Sequence, residues 1–124
     1  QKAAYEALVG PQDSVYKMRE EFRKRRDYMY ERISNMKLIS CLKPQGAFYM
    51  FIDVSELLKK KYNGAVIGDL SRLAQILIED FNVAVVPCQD FGCPEHIRLS
   101  YAISMEQIKK GLDRIESLIE KCSA

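Results

Sequence analysis

The chain has a single histidine, His96, and that scarcity removes whole classes of chemistry. No second imidazole stands ready to support it, and neither a Ser-His-Asp set nor a Gly-rich phosphate loop is present. Of the four cysteines, Cys41, Cys88, Cys93 and Cys122, only Cys88 and Cys93 lie close together. Their spacing matches neither a zinc knuckle nor a CxxC redox pair, and a Cys/His metal site would need a distant fourth ligand. No metal is therefore expected, and reduced thiols in a cytoplasmic protein are the reading that fits. No apolar run approaches the roughly 18 residues that cross a bilayer, and no signal peptide is visible, so no membrane partner is expected. The net charge of +2 is too slight to ask for a polyanion. The basic run "FRKRRD" (22–27) is bracketed by Glu20, Glu21, Asp27 and Glu31, the mixed charge of a solvated helix face. Nucleic acid is not an expected partner.

What is present suits one domain. A length of 124 residues buries roughly two thirds of its unfolded surface around a single core. Pro11, with Asp13 or Ser14 as a cap, starts a long helix that runs to about Met36, with Val15, Met18, Phe22, Met29 and Ile33 at helical spacing. Pro44 and Gly46 break the chain into a turn over 38–46, and "AFYMFIDV" (47–54) has the composition of a strand. "SELLKKKYNG" (55–64) reads as a short helix stopped at Asn63-Gly64. A further helix is expected over 69–81, N-capped by Asp69 and closed by Asn82 in a left-handed conformation. Strands are expected over 83–87 and 97–102 with the loop 88–96 between them, which favours antiparallel pairing. Ser104 and Gln107 form a capping box for a last helix whose stripe is Met105, Ile108, Leu112, Ile115, Leu118 and Ile119. The fold class that follows is α+β, a small antiparallel sheet with helices packed on one face.

One residue stands out. In "HIRLSYA" (96–102) the apolar residues Ile97, Leu99 and Tyr101 alternate with Arg98 and Ser100, so Arg98 points away from the core side. Pattern alone leaves two readings open: a solvated surface arginine, or the wall of a binding site. His96 reads as a surface or loop residue, Asp53 as a cap or turn former, and Phe48, Phe51 and Phe81 as core or rim aromatics.

Three stretches, "KPQGAFYMFIDVS" (43–55), "NVAVVPCQDFG" (82–92) and "IRLSYAISMEQIKKGLDRI" (97–115), together resemble the C-terminal part of class I/II aminotransferases, the fold-type I enzymes dependent on pyridoxal phosphate. The likeness runs through nearly the whole chain in the right order, and "AAYEALVGPQDSV" (3–15) resembles the segment by which that family's chain leaves its large domain. It implies that residues 1–124 are the small domain, preceded by a long helix, with 1–14 as the tail of a missing large domain. The Schiff-base lysine and the other cofactor-binding residues of the family lie upstream. This piece is thus expected to hold no catalytic or cofactor-binding residue, and to be inactive alone.

In the family, the arginine of the "IRLSYA" strand binds the substrate α-carboxylate, and by position that is Arg98, with Gly46 and Phe48 as further substrate-side candidates. The "QGAFY" turn (45–49) and the "PCQDFG" loop (87–92) approach the same substrate side in the family. The chemistry suits the residue type, since a guanidinium offers a carboxylate two parallel N–H donors and stays charged. The sequence departs from the family at Cys88 and Asn82, where relatives commonly carry Gly. The implied activity moves an amino group between an amino acid and a 2-oxo acid in a cytoplasmic homodimer, and "GPQDS" and "GAFY" favour the aspartate aminotransferase-like branch. The rival reading is a stand-alone, non-catalytic α+β binding or regulatory module.

Overall fold

The computed structural model describes residues 1–123. Helix α1 (Lys2–Val9) buries none of its residues. The long helix α2 (Asp13–Ser34) follows, and here Gln12, not Asp13 or Ser14, occupies the cap position. The Gln12 side-chain amide donates back to the Ala7 and Gly10 carbonyls at 2.9 and 3.0 Å, tying the two helices together. Only Met29 and Ile33 of α2 are buried. The expected stripe is therefore covered over its C-terminal half only, while Val15 and Met18 stand exposed.

The central sheet has four antiparallel strands in the order β1 (Ser40–Cys41), β2 (Tyr49–Asp53), β6 (His96–Ser100), β5 (Val86–Pro87). The expected turn at 38–46 thus contains a short edge strand, β1, which pairs Ser40 with Asp53 and Cys41 with Ile52. The expected strand 83–87 shrinks to Val86–Pro87, because the Val83 N–H donates to the Leu77 carbonyl at 2.8 Å and closes the preceding helix instead. Pro87 has no N–H to give the ladder, and β5 tolerates it at the sheet edge.

The expected helix 55–64 is corrected. Helix α3 ends at Leu58, and Lys61–Tyr62 (β3) pairs with Ala65–Val66 (β4) across Asn63-Gly64. Both turn residues have positive φ, 49° and 82°, so the pair makes the two-residue hairpin that Asn-Gly favours rather than a helix stop.

Helix α4 (Leu70–Phe81) begins and ends as its sequence asks. Asp69 accepts the Arg72 N–H at 2.8 Å, and Asn82 is left-handed at φ 52°. Helix α5 (Met105–Lys121) is capped by Ser104, whose hydroxyl accepts the Gln107 N–H at 3.3 Å. Its stripe of Ile108, Leu112, Ile115, Leu118 and Ile119 is buried. These side chains join Met29 and Ile33 of α2 and Leu73 and Leu77 of α4 in one cluster over Met50, Ile52, Ile97 and Leu99. The architecture is α+β, with the helices on one face of the antiparallel sheet. Among the described residues, no helix is long and apolar enough to cross a membrane.

Candidate functional site

The sheet's other face is open. Strand register pairs Tyr49 with Ser100, Phe51 with Arg98 and Asp53 with His96, and these six side chains point away from the helices. None is fully buried, while their neighbours Met50, Ile52, Ile97 and Leu99 all are. The two-residue period of the strands thus carries Arg98 onto the uncovered face.

Arg98 is held there by rings rather than by acids. Its guanidinium carbon lies 4.3 Å from the Tyr49 ring centroid and 5.3 Å from that of Phe91. Phe91 comes from the turn after β5, and Tyr49 from the diagonal position on β2. Aromatic faces attract the cation and exclude water from it without using its N–H donors. Among the described residues no ion pair includes Arg98, and its Nε is buried with no hydrogen-bond partner. A buried donor left without a partner costs free energy, which an incoming acceptor recovers. The arrangement suits a planar anion with two oxygens.

Phe48 reaches this site through Tyr49: the two rings lie 4.4 Å apart, and Phe48 is 40% exposed. Gly46 sits elsewhere. It lines a groove of about 400 Å³ with Phe22, Arg26 and Tyr101, a lining that does not include Arg98. A Cβ built on Gly46 would meet nothing within 4 Å, so no packing within the described residues demands glycine there. The turn it begins is pinned by Tyr101, whose hydroxyl donates to the Ala47 carbonyl at 2.9 Å and whose N–H donates to the Phe48 carbonyl at 2.9 Å. Ala47 has φ 59°, a left-handed conformation that Ala rarely adopts.

Asp53 and His96 occupy the far end of the open face. The Ser55 N–H, donated at 2.8 Å, holds the Asp53 carboxyl below its ordinary range, with His96 and Lys59 helping more weakly. Asp53 is thus a turn former before α3, as its sequence position suggests. The His96 ring stacks on Phe51 at 4.4 Å, the planes 13° apart. Tyr49 and Phe91 lie in the two segments, 45–49 and 87–92, that the family resemblance brings to the substrate side, but the local pattern singles out neither ring. Their signal is cross-strand register and the reach of a loop, neither of which is written in the local pattern.

Residues 1–115 match the family described as aminotransferase class I and II. The chain belongs to this family. It is 41% identical over 120 residues to an aspartate aminotransferase from Bacillus sp. (strain YM-2), covering 97% of this chain and 30% of that protein. A probable aspartate/prephenate aminotransferase from Rickettsia conorii is 39% identical over 121 residues, covering 97% of this chain and 30% of the relative. The solved aspartate aminotransferase from Rhizobium meliloti superposes with a TM-score of 0.92 at 35% identity, over 98% of this chain and 30% of that one. The chain therefore spans about 30% of the length of these relatives.

Proposed function

We propose that this chain is the small domain of a pyridoxal-phosphate-dependent aminotransferase of the aspartate aminotransferase-like branch, and that Arg98 binds the α-carboxylate of its substrates. The full polypeptide moves an amino group between an amino acid and a 2-oxo acid. The single observation that carries the site is the Arg98 guanidinium between two rings on the open sheet face, with an unpartnered Nε. A carboxylate is what every amino acid and every 2-oxo acid share, so one arginine serves both halves of the exchange. Holding that group also fixes the position of the neighbouring Cα, which turns the later proton movements into steps within one complex. Phe48 and Tyr49 complete the substrate side, and Gly46 leaves room for what approaches the turn.

The residues of the open face do not fit the cofactor. Its six positions are Tyr49, Phe51, Asp53, His96, Arg98 and Ser100, with no lysine among them. Pyridoxal phosphate is assigned to the rest of the polypeptide, the large domain. Helix α1 and the uncovered start of α2, with Tyr5, Leu8, Val15 and Met18 exposed, support residues 1–14 as the tail of that domain. Family membership supports a cytoplasmic homodimer as the working assembly.

The test is Arg98→Lys in the complete polypeptide, assayed by single-turnover kinetics on amino acids with acidic, aromatic and aliphatic side chains. A penalty common to all of them, with cofactor affinity unchanged, is expected. A loss confined to one side-chain class would assign Arg98 to side-chain reading, and no loss would return it to the solvated surface.

A further inference from the structure

The turn that delivers Phe91 to Arg98 also carries two of the chain's thiols, and its backbone places them as a pair. Gly92 is left-handed at φ 78°, and its N–H donates to the Gln89 carbonyl at 3.0 Å. The Cys93 N–H donates to the Cys88 carbonyl at 3.0 Å. This nested pair of hydrogen bonds around a left-handed glycine is the Schellman arrangement, and in it the side chains at the positions of Cys88 and Cys93 frequently meet. Standard bond lengths across that one hydrogen bond keep the two Cα atoms within about 7 Å. Disulfides usually span about 4.4–6.8 Å between Cα atoms. Both residues are fastened further to β6: the Cys88 N–H donates to the His96 carbonyl at 3.0 Å, and the His96 N–H donates to the Cys93 carbonyl at 3.2 Å.

The two thiols differ in access. Cys88 is buried, whereas Cys93 is half-exposed. Burial pushes the Cys88 thiol up, with Arg98 pulling the other way and Cys93 adding to the rise, which puts both groups within its electrostatic reach. Cys41 and Cys122 are also half-exposed free thiols, but neither shares a turn with another cysteine.

We infer that Cys88 and Cys93 form a peroxide-responsive dithiol that closes to a disulfide across this turn. The Cys93 sulfur attacks one oxygen of hydrogen peroxide, the O–O bond breaks, and the products are a Cys93 sulfenic acid and water. The Cys88 sulfur then attacks the Cys93 sulfur, the S–O bond breaks, and its oxygen leaves as a second water. Two thiols lose two electrons, and one peroxide gains them. The bridge ties down the segment that holds Phe91 over Arg98.

This inference goes beyond the aminotransferase reading, and its test reads thiols rather than turnover, so the two fail separately. The complete polypeptide is treated with one equivalent of hydrogen peroxide, alkylated with N-ethylmaleimide and digested with trypsin without reduction. Cys88 and Cys93 share the peptide from Leu73 to Arg98. That peptide is expected to be two hydrogen atoms lighter and unalkylated, to regain both alkylations after dithiothreitol, and to do so while Cys41 and Cys122 stay alkylated throughout. In Cys88→Ser, Cys93 is expected to stop at the sulfenic acid and to be trapped by dimedone. Alkylation of both thiols after peroxide, a sulfinic acid at Cys93 in the unsubstituted protein, or a cross-link to Cys41 or Cys122 would each overturn it.

Discussion

The two faces of the β2–β6 pair are built from alternating residues of the same strands, and they do opposite work. On the covered face Met50, Ile52, Ile97 and Leu99 meet helices α2, α4 and α5 in one aliphatic cluster. On the open face Arg98 lies against the rings of Tyr49 and Phe91, Tyr49 also meets Phe48, and Phe51 stacks on His96. The covered face loses water and so supplies stability, at roughly 25 cal/mol for each Å² of apolar surface removed. The open face keeps a cation whose buried Nε has no partner among the described residues, and on the proposed reading its donors are reserved for a substrate carboxylate. On that reading one backbone separates folding from binding, and substitutions one position apart should fall on different measurements.

The largest effect is expected on the covered face. Ile52→Ala removes a side chain that is 1% exposed, and about 2–5 kcal/mol of unfolding free energy should go with it in a denaturant titration. Phe51→Ala, its neighbour on the open face, gives up mainly the stack on His96 and should cost only about 0.5–1.5 kcal/mol. Equal costs at the two positions would mean that the open face is part of the core.

Next comes Arg98→Lys in the complete polypeptide. Replacing the fork by a point charge forfeits one charge-assisted hydrogen bond, about 1.5–3 kcal/mol, or roughly ten- to a hundredfold in kcat/KM. The thermal midpoint should hardly move, because Arg98 makes no ion pair among the described residues and the Tyr49 ring beside it remains for the ammonium to lie against. A fall in stability with kinetics intact would reverse the roles of the two faces.

That division was legible in the sequence because it rests on period two, the strongest local signal a strand has. The apolar alternation of 97, 99 and 101 is enough to turn Arg98 outward, and Asp69, Asn82 and Ser104 mark helix ends by side-chain chemistry that acts within a few residues. What stayed hidden depends on partners far along the chain. Ser40–Cys41 is a strand only because Ile52 and Asp53 lie beside it, and nothing in "LISCLKPQG" announces that pairing. Val83 leaves its strand because its N–H is taken by the end of α4. The hairpin at Asn63-Gly64 is a different kind of miss. Its dipeptide does carry a hairpin signal, but the strands on either side are two residues long and show no alternation to set against the helical look of "SELLKKK".

A smaller effect should follow from the turn between the faces. Tyr101 sits on the covered side, yet its hydroxyl reaches the Ala47 carbonyl. Tyr101→Phe removes that bond and should cost about 1 kcal/mol in a denaturant titration. Ala47→Gly should gain about as much, since glycine adopts φ 59° without strain. A destabilising Ala47→Gly would show that the turn is not held against a backbone preference.

The smallest effect is the pH dependence carried by Asp53. The Ser55 N–H, and more weakly His96 and Lys59, hold its carboxyl below the ordinary range in the folded chain, so the folded state favours the deprotonated form. The stability this contributes is fully present above the unfolded carboxylate value and fades as pH falls through the lower folded one. Asp53→Asn keeps an oxygen for the Ser55 N–H but has no proton to gain. The variant should therefore be slightly less stable than the unsubstituted chain near neutrality, with the gap closing between about pH 5 and pH 2. Unfolding free energies of both proteins across that range decide the matter. Parallel curves would place the charge of Asp53 in solvent, and a gap that widened on acidification would mean the carboxyl is held in its protonated form. Convergence at low pH would leave the Asp53 end of the open face as a turn device, its charge held by the start of α3.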